Sequence, residues 1–402
     1  MESKVVQGDC LEVLRKCSSD AIDLIVTDPP YGYSFMGKDW DKAVVGVETW
    51  KECLRVLKPG AFAFVMSAPR QDVLSKMIVN LTEAGFKTDF TSLYWTYATG
   101  FPKAANIGKL VDKRLGVERE VLGLRQRPGG PTKLTEARGW NEGPMKDDDA
   151  TVEITEATSP EAKALDGSYG GFQPKPAVEI VIVAMKPLDQ KTYLDQAMSN
   201  GKGVTWLDDA RFPTDSDTRR NARGGENGLG GSETFKIRER RAEDMPKQDG
   251  RFPANLAVSD GVLGDFSGFF SLDAWAEKSL PFLIVPKAGK REKNDGLDHL
   301  PDKLKLAQMR SANGTGDKNF DGGFPDTITK NTHATVKPLT LMSYLITLGS
   351  RSGETVLDPF AGSFTTCCAA KMLGRKSVGI EREAEYVEIG KARIAATAEV
   401  KK

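Results

Sequence analysis

Two short stretches carry side chains able to do chemistry, and they lie far apart in the chain. The first is Asp28-Pro29-Pro30-Tyr31, directly after the apolar run Ile22–Thr27. Consecutive prolines lack backbone N–H donors and stiffen the chain, so carbonyls stay available as acceptors. One carboxylate, rigid carbonyls and an aromatic face suit a planar ring bearing an exocyclic amine. The acceptors would take the two N–H donors while Tyr31 stacks on the ring. A Pro-rich turn with a capping aspartate is the plainer alternative. The second stretch is Val356-Leu357-Asp358-Pro359-Phe360-Ala361-Gly362-Ser363-Phe364-Thr365-Thr366, a strand running into a small-residue turn and a helix start. Small residues let a ligand approach the backbone, and a helix N-terminus favours a carboxylate or phosphate. Further on, Gly379-Ile380-Glu381 puts an acid at the tip of the next strand, where nucleotide-like cofactors have their ribose hydroxyls gripped.

These stretches need elements to hold them. Strand-length apolar runs occur at Lys4–Gln7, Ile22–Thr27, Ala61–Ser67 (after a Lys58-Pro59-Gly60 turn), Phe90–Tyr97 and Val178–Ala184. Cys10–Lys16 and Val47–Leu57 have helical spacing, with Val47, Trp50, Leu54 and Leu57 on one face of the second. Towards the C-terminus the expected order is a Leu339–Leu348 helix, a Thr355–Leu357 strand, a helix from about Thr365, a Ser377–Ile380 strand and a helix from Glu385. Alternation of this kind predicts an α/β fold, a mainly parallel sheet covered by helices on both faces. Residues 124–175 and 208–250, rich in Gly, Pro and charge, read as long loops or insertions. Asp147–Asp166, with seven acids against one lysine, reads as a loop or disordered excursion.

Composition narrows the function classes. The 402 residues hold 56 Lys+Arg and 56 Asp+Glu, so an unselective polybasic coat for nucleic acid is not expected, although local patches remain open. Five irregularly spaced cysteines argue against a disulfide framework, and two histidines, His299 and His333, leave little for a metal centre, so no metal site is expected. No apolar run is long enough to span a membrane, and MESKVVQGDC lacks the shape of a signal peptide, so a cytoplasmic protein is expected.

The motifs together resemble those of the site-specific DNA amino-methyltransferases, in the permuted β class and of the kind often carried by phages and prophages. The likeness rests on GDCLEVL (Gly8–Leu14), DLIVTDPPYG (Asp23–Gly32), HATVKPLTLM (His333–Met342), and VLDPFAGSFTT continuing through GIEREAEYVEIGKARI to Ile394. Weaker likeness covers TGFPKAANIGKLVDK, PKPAVEIVIVAMKPL and RFPANLAV. The resemblance implies a Rossmann-like, circularly permuted sheet with loop-rich insertions for target recognition. It places the Thr355–Leu357 strand beside Ile22–Thr27, and the N-terminal strand beyond Ser377–Ile380. It divides the chain into a catalytic half (1–100), an insertion with a returning strand (101–190), a target-recognition region (191–332) and a cofactor-binding half (333–402).

The implied cofactor is S-adenosylmethionine, and the implied partner is double-stranded DNA with the target base flipped out to meet Tyr31. Asp28 and the Pro29 carbonyl would accept the amine's protons, with Pro30 keeping the loop rigid. Phe360 and Gly362 would pack near the cofactor, with Pro359, Ser363 and Thr365 in the same loop. Glu381 would bind the ribose, and Asp9, followed by Cys10, the adenine amine. Asp358 would help hold the methionine end; His333, Lys337 and Pro338 would close over the amino-acid portion. One departure stands out: the family usually has Gly at the position of Phe364. A bulky side chain is not expected where φ is positive, so Phe364 is expected just inside the helix with its ring turned from the cofactor.

Target recognition is expected between Val178–Ala184 and His333, where Arg219, Arg220, Arg223, Arg238, Arg240, Lys290 and Arg291 crowd basic stretches suited to phosphates and guanine edges. By the resemblance, Asp rather than Ser at position 28 favours adenine N6 over cytosine N4 as acceptor, although some cytosine-N4 enzymes of the family also carry this loop. A degenerate homologue that grips DNA without turnover remains an alternative, as do a monomer or a homodimer and a partner nuclease or none.

Overall fold

The chain enters its main sheet at β1 (Ser3–Gln7), turns through α1 (Cys10–Leu14) and returns as β2 (Ile22–Thr27), all six residues of which are buried. That burial is what a continuous apolar run between two helical layers requires. The computed structural model describes residues 2–32, 43–97, 104–126, 151–172, 174, 177–213, 250–259, 263, 270–279, 290–300, 303–305, 327–333 and 335–399. After β2 come α2 (Val47–Val56), β3 (Leu57–Ser67), α3 (Gln71–Glu83) and β4 (Leu93–Thr96). Then follow α4 (Ile107–Leu115), β5 (Glu120–Gln126), β6 (Thr151–Glu156), α5 (Pro160–Ala164), β7 (Val178–Met185) and α6 (Tyr193–Asn200). The remainder runs β8 (Leu256–Val258), α7 (Leu272–Ser279), α8 (Lys290–Asn294), β9 (Lys303–Lys305), β10 (Thr327–Thr329), α9 (Leu339–Gly349), β11 (Thr355–Asp358), α10 (Thr365–Met372), β12 (Lys376–Glu381) and α11 (Ala384–Ala396).

Two units separate: Met1–Ala98 with Ala177–Lys402, and Thr99–Pro176. The first holds an eight-stranded sheet in the order β1-β12-β11-β2-β3-β7-β4-β8. All neighbours are parallel except β7, which runs antiparallel to β3 and β4. This is the Rossmann-like arrangement expected, with β11 beside β2 and β1 beyond β12. Alternating side chains split the core: Leu24, Val26, Phe62 and Phe64 face α9 and α10, while Ile25, Ala63 and Val65 face the α1–α3 side. Every residue of α9 is buried, so the helix needs no polar face.

The lower end of β2 is tied by charge. Asp23, only 4% exposed, meets Lys58 at 2.7 Å and Lys202 at 3.0 Å, and accepts the Thr355 N–H at 3.0 Å. Burial works against its charge, but these partners outweigh it and hold the carboxyl below its usual range. Lys202 also reaches Glu354 at 2.6 Å, so two cations face two anions.

In the second unit α4 and α5 accompany an antiparallel β5–β6 pair. Its fully buried Asp112 accepts from Ser159 Oγ (2.6 Å) and N (3.0 Å) and from Thr158 N (3.1 Å), and pairs with Arg119 Nη1 at 2.7 Å. Ser159 above all, with these other donors, lowers it to about 2.

Several expectations are corrected. Residues 124–175 are not simply a loop: β6 and α5 fall within them, and inside Asp147–Asp166. The buried face of α2 is Trp50, Cys53 and Val56, because Leu57 already begins β3. The Lys58-Pro59-Gly60 turn is absorbed into β3, with Gly60 at φ 76°. Among the described residues no helix is long and apolar enough to cross a membrane.

Candidate active site

Adjacent parallel strands deliver their C-terminal loops to the same edge of a sheet, so β2 and β11 bring Asp28 and Asp358 together. Thr27 Oγ1 donates to Asp358 Oδ1 at 2.7 Å, and Thr366 Oγ1 donates to Oδ2 at 2.6 Å. The Phe360 N–H adds a bond to Oδ1 at 3.1 Å. Asp358 thus fastens the two loops from below. Burial raises its carboxyl to about 6, with Thr366, Thr27 and the Phe360 N–H opposing.

Above it, Asp28 is engaged at both oxygens. Oδ1 accepts the Tyr31 hydroxyl, and Oδ2 lies 2.7 Å from Lys337 Nζ. Lys337 Nζ also lies 3.1 Å from Glu179 Oε2 and 5.8 Å from the Tyr31 ring centroid. Burial pulls the lysine down, yet Asp28 and Glu179 together raise it above its usual value. Glu179 Oε2 is buried and accepts no aligned hydrogen bond, so its contact with Lys337 is charge against charge. The nearby Tyr97 hydroxyl is raised to about 12 by burial and then by Glu179.

The cofactor side is one open cleft between the two loops. Asp9, Cys10, Asp28, Pro30, His333, Lys337, Asp358, Pro359, Phe360, Gly362, Ser363, Thr365 and Glu381 all line it. Tyr386 also lines it and was not singled out in the sequence. Glu381 accepts the Gly362 N–H at 2.9 Å and the Glu383 N–H at 2.8 Å; burial raises its carboxyl. A carboxylate has lone pairs beyond these two bonds. Asp9 caps α1 by accepting the Leu11 N–H at 2.9 Å. The Cys10 thiol is pushed up to about 12 by burial and then Asp9, which disfavours the thiolate.

Gly362 sits at φ 51°, and a Cβ there would fall 2.5 Å from His333 Nε2. His333 packs edge-on to Tyr386 with centroids 4.6 Å apart. The segment leading to Lys337 is pinned by α8: Glu292 accepts the Leu339 N–H at 2.8 Å, and Asn331 Nδ2 donates to the Lys293 carbonyl at 2.9 Å. Burial raises Glu292 to about 7, opposed first by that Leu339 N–H. Arg393, buried in α11, braces the loop, its Nη1 donating to the Ser363 carbonyl (2.6 Å), Ser363 Oγ (3.0 Å) and Thr365 Oγ1 (3.0 Å).

Phe364 does not lie inside α10 as expected. It is the N-cap, at φ 63° and ψ 32°. Its ring is fully buried, and the space is made by two glycines: a Cβ at Gly379 would come 2.6 Å from it, and one at Gly390 2.0 Å. A left-handed residue costs of order 1–3 kcal/mol when it is not glycine, and burial of the ring offsets that here. The ring is turned away from the cleft, whose lining does not include it.

Glu179, Tyr386 and Arg393 were missed because each depends on register or tertiary approach; all three lie within stretches that carry the resemblance, but nothing local marks them out. Arg219, Arg220, Arg223, Arg238 and Arg240 lie outside the described residues. Lys290 and Arg291 open α8.

Comparison with known proteins adds an independent line. The family model described as DNA methylase matches residues 269–392, which include Lys337, the Asp358 loop and Glu381. The DNA adenine methyltransferase YhdJ of Escherichia coli (strain K12) is 48% identical over 62 residues, 15% of this chain and 21% of YhdJ. The type II methyltransferase M.HinfI of Haemophilus influenzae is 43% identical over 65 residues, 16% of this chain and 18% of M.HinfI. The chain therefore matches only about a fifth of the length of each. The crystal structure of M1.HpyAVI with SAM is 15% identical, with a TM-score of 0.41 over 97% of this chain and 98% of that one.

Proposed function

We propose that this chain is an S-adenosylmethionine-dependent DNA amino-methyltransferase that methylates the exocyclic N6 of a flipped adenine in double-stranded DNA. The observation carrying this reading is that Asp28 and Pro30, at the end of one strand, and the Asp358–Ser363 loop, at the end of its parallel neighbour, line one cleft, with Pro29 and Tyr31 beside it and outside its lining. The family match over residues 269–392 and the two methyltransferase relatives support it.

The residues present fit the cofactor. Gly362 lets the His333 ring close onto the loop, where a Cβ would collide with it, and Glu381 and Asp9 present carboxylates in the same cleft, suited to ribose hydroxyls and an adenine amine. S-adenosylmethionine, when bound, supplies an electrophilic methyl group on a positively charged sulfur. The chain's own work lies on the acceptor. An exocyclic amine is a poor nucleophile because its lone pair is delocalised into the ring. Asp28 and the Pro29 carbonyl accept its two N–H groups and so favour a nitrogen whose lone pair is available. Tyr31 stacks against the ring, which requires its hydroxyl to leave Asp28. Holding the amine in line needs positioning more than a strong base. No covalent enzyme intermediate is needed, so the cysteines need no catalytic role. The basic residues of the middle region, Arg219, Arg220, Arg223, Arg238, Arg240, Lys290 and Arg291, are proposed to contact DNA.

Incubation of the purified chain with radiolabelled S-adenosylmethionine and duplex DNA tests the reading. Label should enter the DNA, and sequencing of modified bases should report N6-methyladenine at one short site. Label at cytosine would move the acceptor to N4, and none in any DNA would overturn the reading.

A further inference from the structure

The Asp28–Lys337 contact raises a difficulty for the proposed chemistry. An aspartate paired one-to-one with a lysine is a neutral group, and a neutral group does little for a nitrogen that is becoming positive. As the nitrogen–methyl bond forms and the sulfur–methyl bond breaks, sulfur keeps the bonding pair and the positive charge passes to nitrogen. Nitrogen then gives up one proton, through Asp28, to water. The acceptor site therefore needs a surplus of negative charge. Lys337 Nζ lies 2.7 Å from Asp28 and 3.1 Å from Glu179, and the three side chains are between 10% and 19% exposed.

We propose that Glu179 is a positioning residue that shares Lys337 with Asp28, so that the three groups carry one net negative charge and Lys337 can be drawn away from Asp28 as the amine arrives. This rests on the methyltransferase reading and goes beyond it by giving a role to a residue outside both loops. Three observations carry the proposal. Glu179 Oε2 is buried without an aligned hydrogen bond, leaving it ready to take up the ammonium more closely. Both Asp28 oxygens are already occupied, one by Tyr31 and one by Lys337, so binding the amine requires partners to give way. Finally, β7 runs against its neighbours, so its first residues stand at the edge where parallel strands end. The register sets Glu179 opposite Trp95 and Val178 opposite Thr96.

The test combines charge arithmetic with a readout that needs no turnover. Glu179→Gln keeps the shape and removes the charge. It should lower kcat for methyl transfer by about tenfold or more, since a unit charge at this range in a partly buried site is strongly felt. KM for DNA and for S-adenosylmethionine should stay within about twofold. The double variant Glu179→Gln/Lys337→Met leaves Asp28 alone, restores the single negative charge, and should be faster than Glu179→Gln alone. A merely structural role for Glu179 would make the double variant slower still. Independently, limiting acetic anhydride followed by mass spectrometry should label Lys337 faster in Glu179→Gln than in the wild type. A double variant no faster than the single, or equal labelling of Lys337 in both proteins, overturns the proposal. Absence of transfer by the wild type counts against the methyltransferase reading, and the labelling then decides the charge sharing by itself.

Discussion

Asp23 and Asp28 stand near opposite ends of β2, and each is paired with lysine. At the lower end Asp23 and Glu354 face Lys58 and Lys202, a balanced cluster that also takes the Thr355 N–H and so stitches β2 to β11. At the upper end Asp28 and Glu179 share one lysine among the described residues, Lys337, beside an open cleft. Balanced charge with every partner in place makes a fastener. Unbalanced charge at a cavity makes a site with something left to bind. The same residue type, five positions apart, therefore does structural work in one place and is available for chemistry in the other.

The comparison can be broken from its upper end first. Asp28→Ala should cost about a thousandfold in methyl transfer, as loss of a group aimed at the reacting atoms does, while the melting temperature moves little. Radiolabel transfer and a thermal melt on the same preparation check both halves. Asp23→Ala should do the reverse. Leaving buried Lys202 and partly exposed Lys58 short of a partner costs about 3 kcal/mol, read as a shift in the denaturation midpoint, with transfer per folded molecule retained. If Asp23→Ala abolished turnover while staying folded, the division between the two ends would fail.

Phe364→Gly sharpens the matter at the neighbouring loop. Relief of the positive φ offsets part of the lost burial, so a net loss of about 2 kcal/mol is expected from removing a buried aromatic ring. Cofactor affinity by calorimetry should not improve, because the ring does not reach the cleft. Tighter binding in Phe364→Gly would show that the ring obstructs the site.

The smallest effect concerns pH. Asp358 has a folded-state value of about 6, above the 3.8 of an ordinary aspartate, so the folded chain binds this proton more tightly than the unfolded one. Its contribution therefore favours folding below about pH 4 and is lost as pH rises to about 6. Asp112 has the opposite sign: held at about 2, it stabilises above about pH 4, and that gain disappears as pH falls towards 2. Asp358→Asn should flatten the stability curve between pH 4 and 6, whereas Asp112→Asn should flatten it below 4. Urea titrations at stepped pH distinguish the two.

How much of this could be read from the sequence follows from how local each feature is. Asp28-Pro29-Pro30-Tyr31 and the Asp358–Thr365 loop were legible because each follows its own strand directly, and strand ends are where open α/β sheets bind ligands. The adjacency of β2 and β11, and of β1 and β12, came from the resemblance and agrees with the pairing found. Glu179 was not legible. It looked like one charge in an apolar run, and only the antiparallel register of β7 brings it to Lys337. The β5–β6 pair was hidden because a long stretch rich in Gly, Pro and charge separates its two strands, so the short alternation at Thr151–Glu156 had no partner in view. Phe364 was misplaced because the rule that positive φ demands glycine omits the possibility that glycines elsewhere make room for the ring.

That last arrangement constrains how this chain can change over time. Phe364, Gly379 and Gly390 form one lock with its two sockets, so none is free to drift while the others stay fixed. Gly390→Ala would be severe in the present chain and tolerated once Phe364→Gly has emptied the socket. A lineage passing between the two loop forms must change the phenylalanine first; Gly390 becomes free to enlarge only afterwards, while Gly379 stays held by Cys367 Sγ as well.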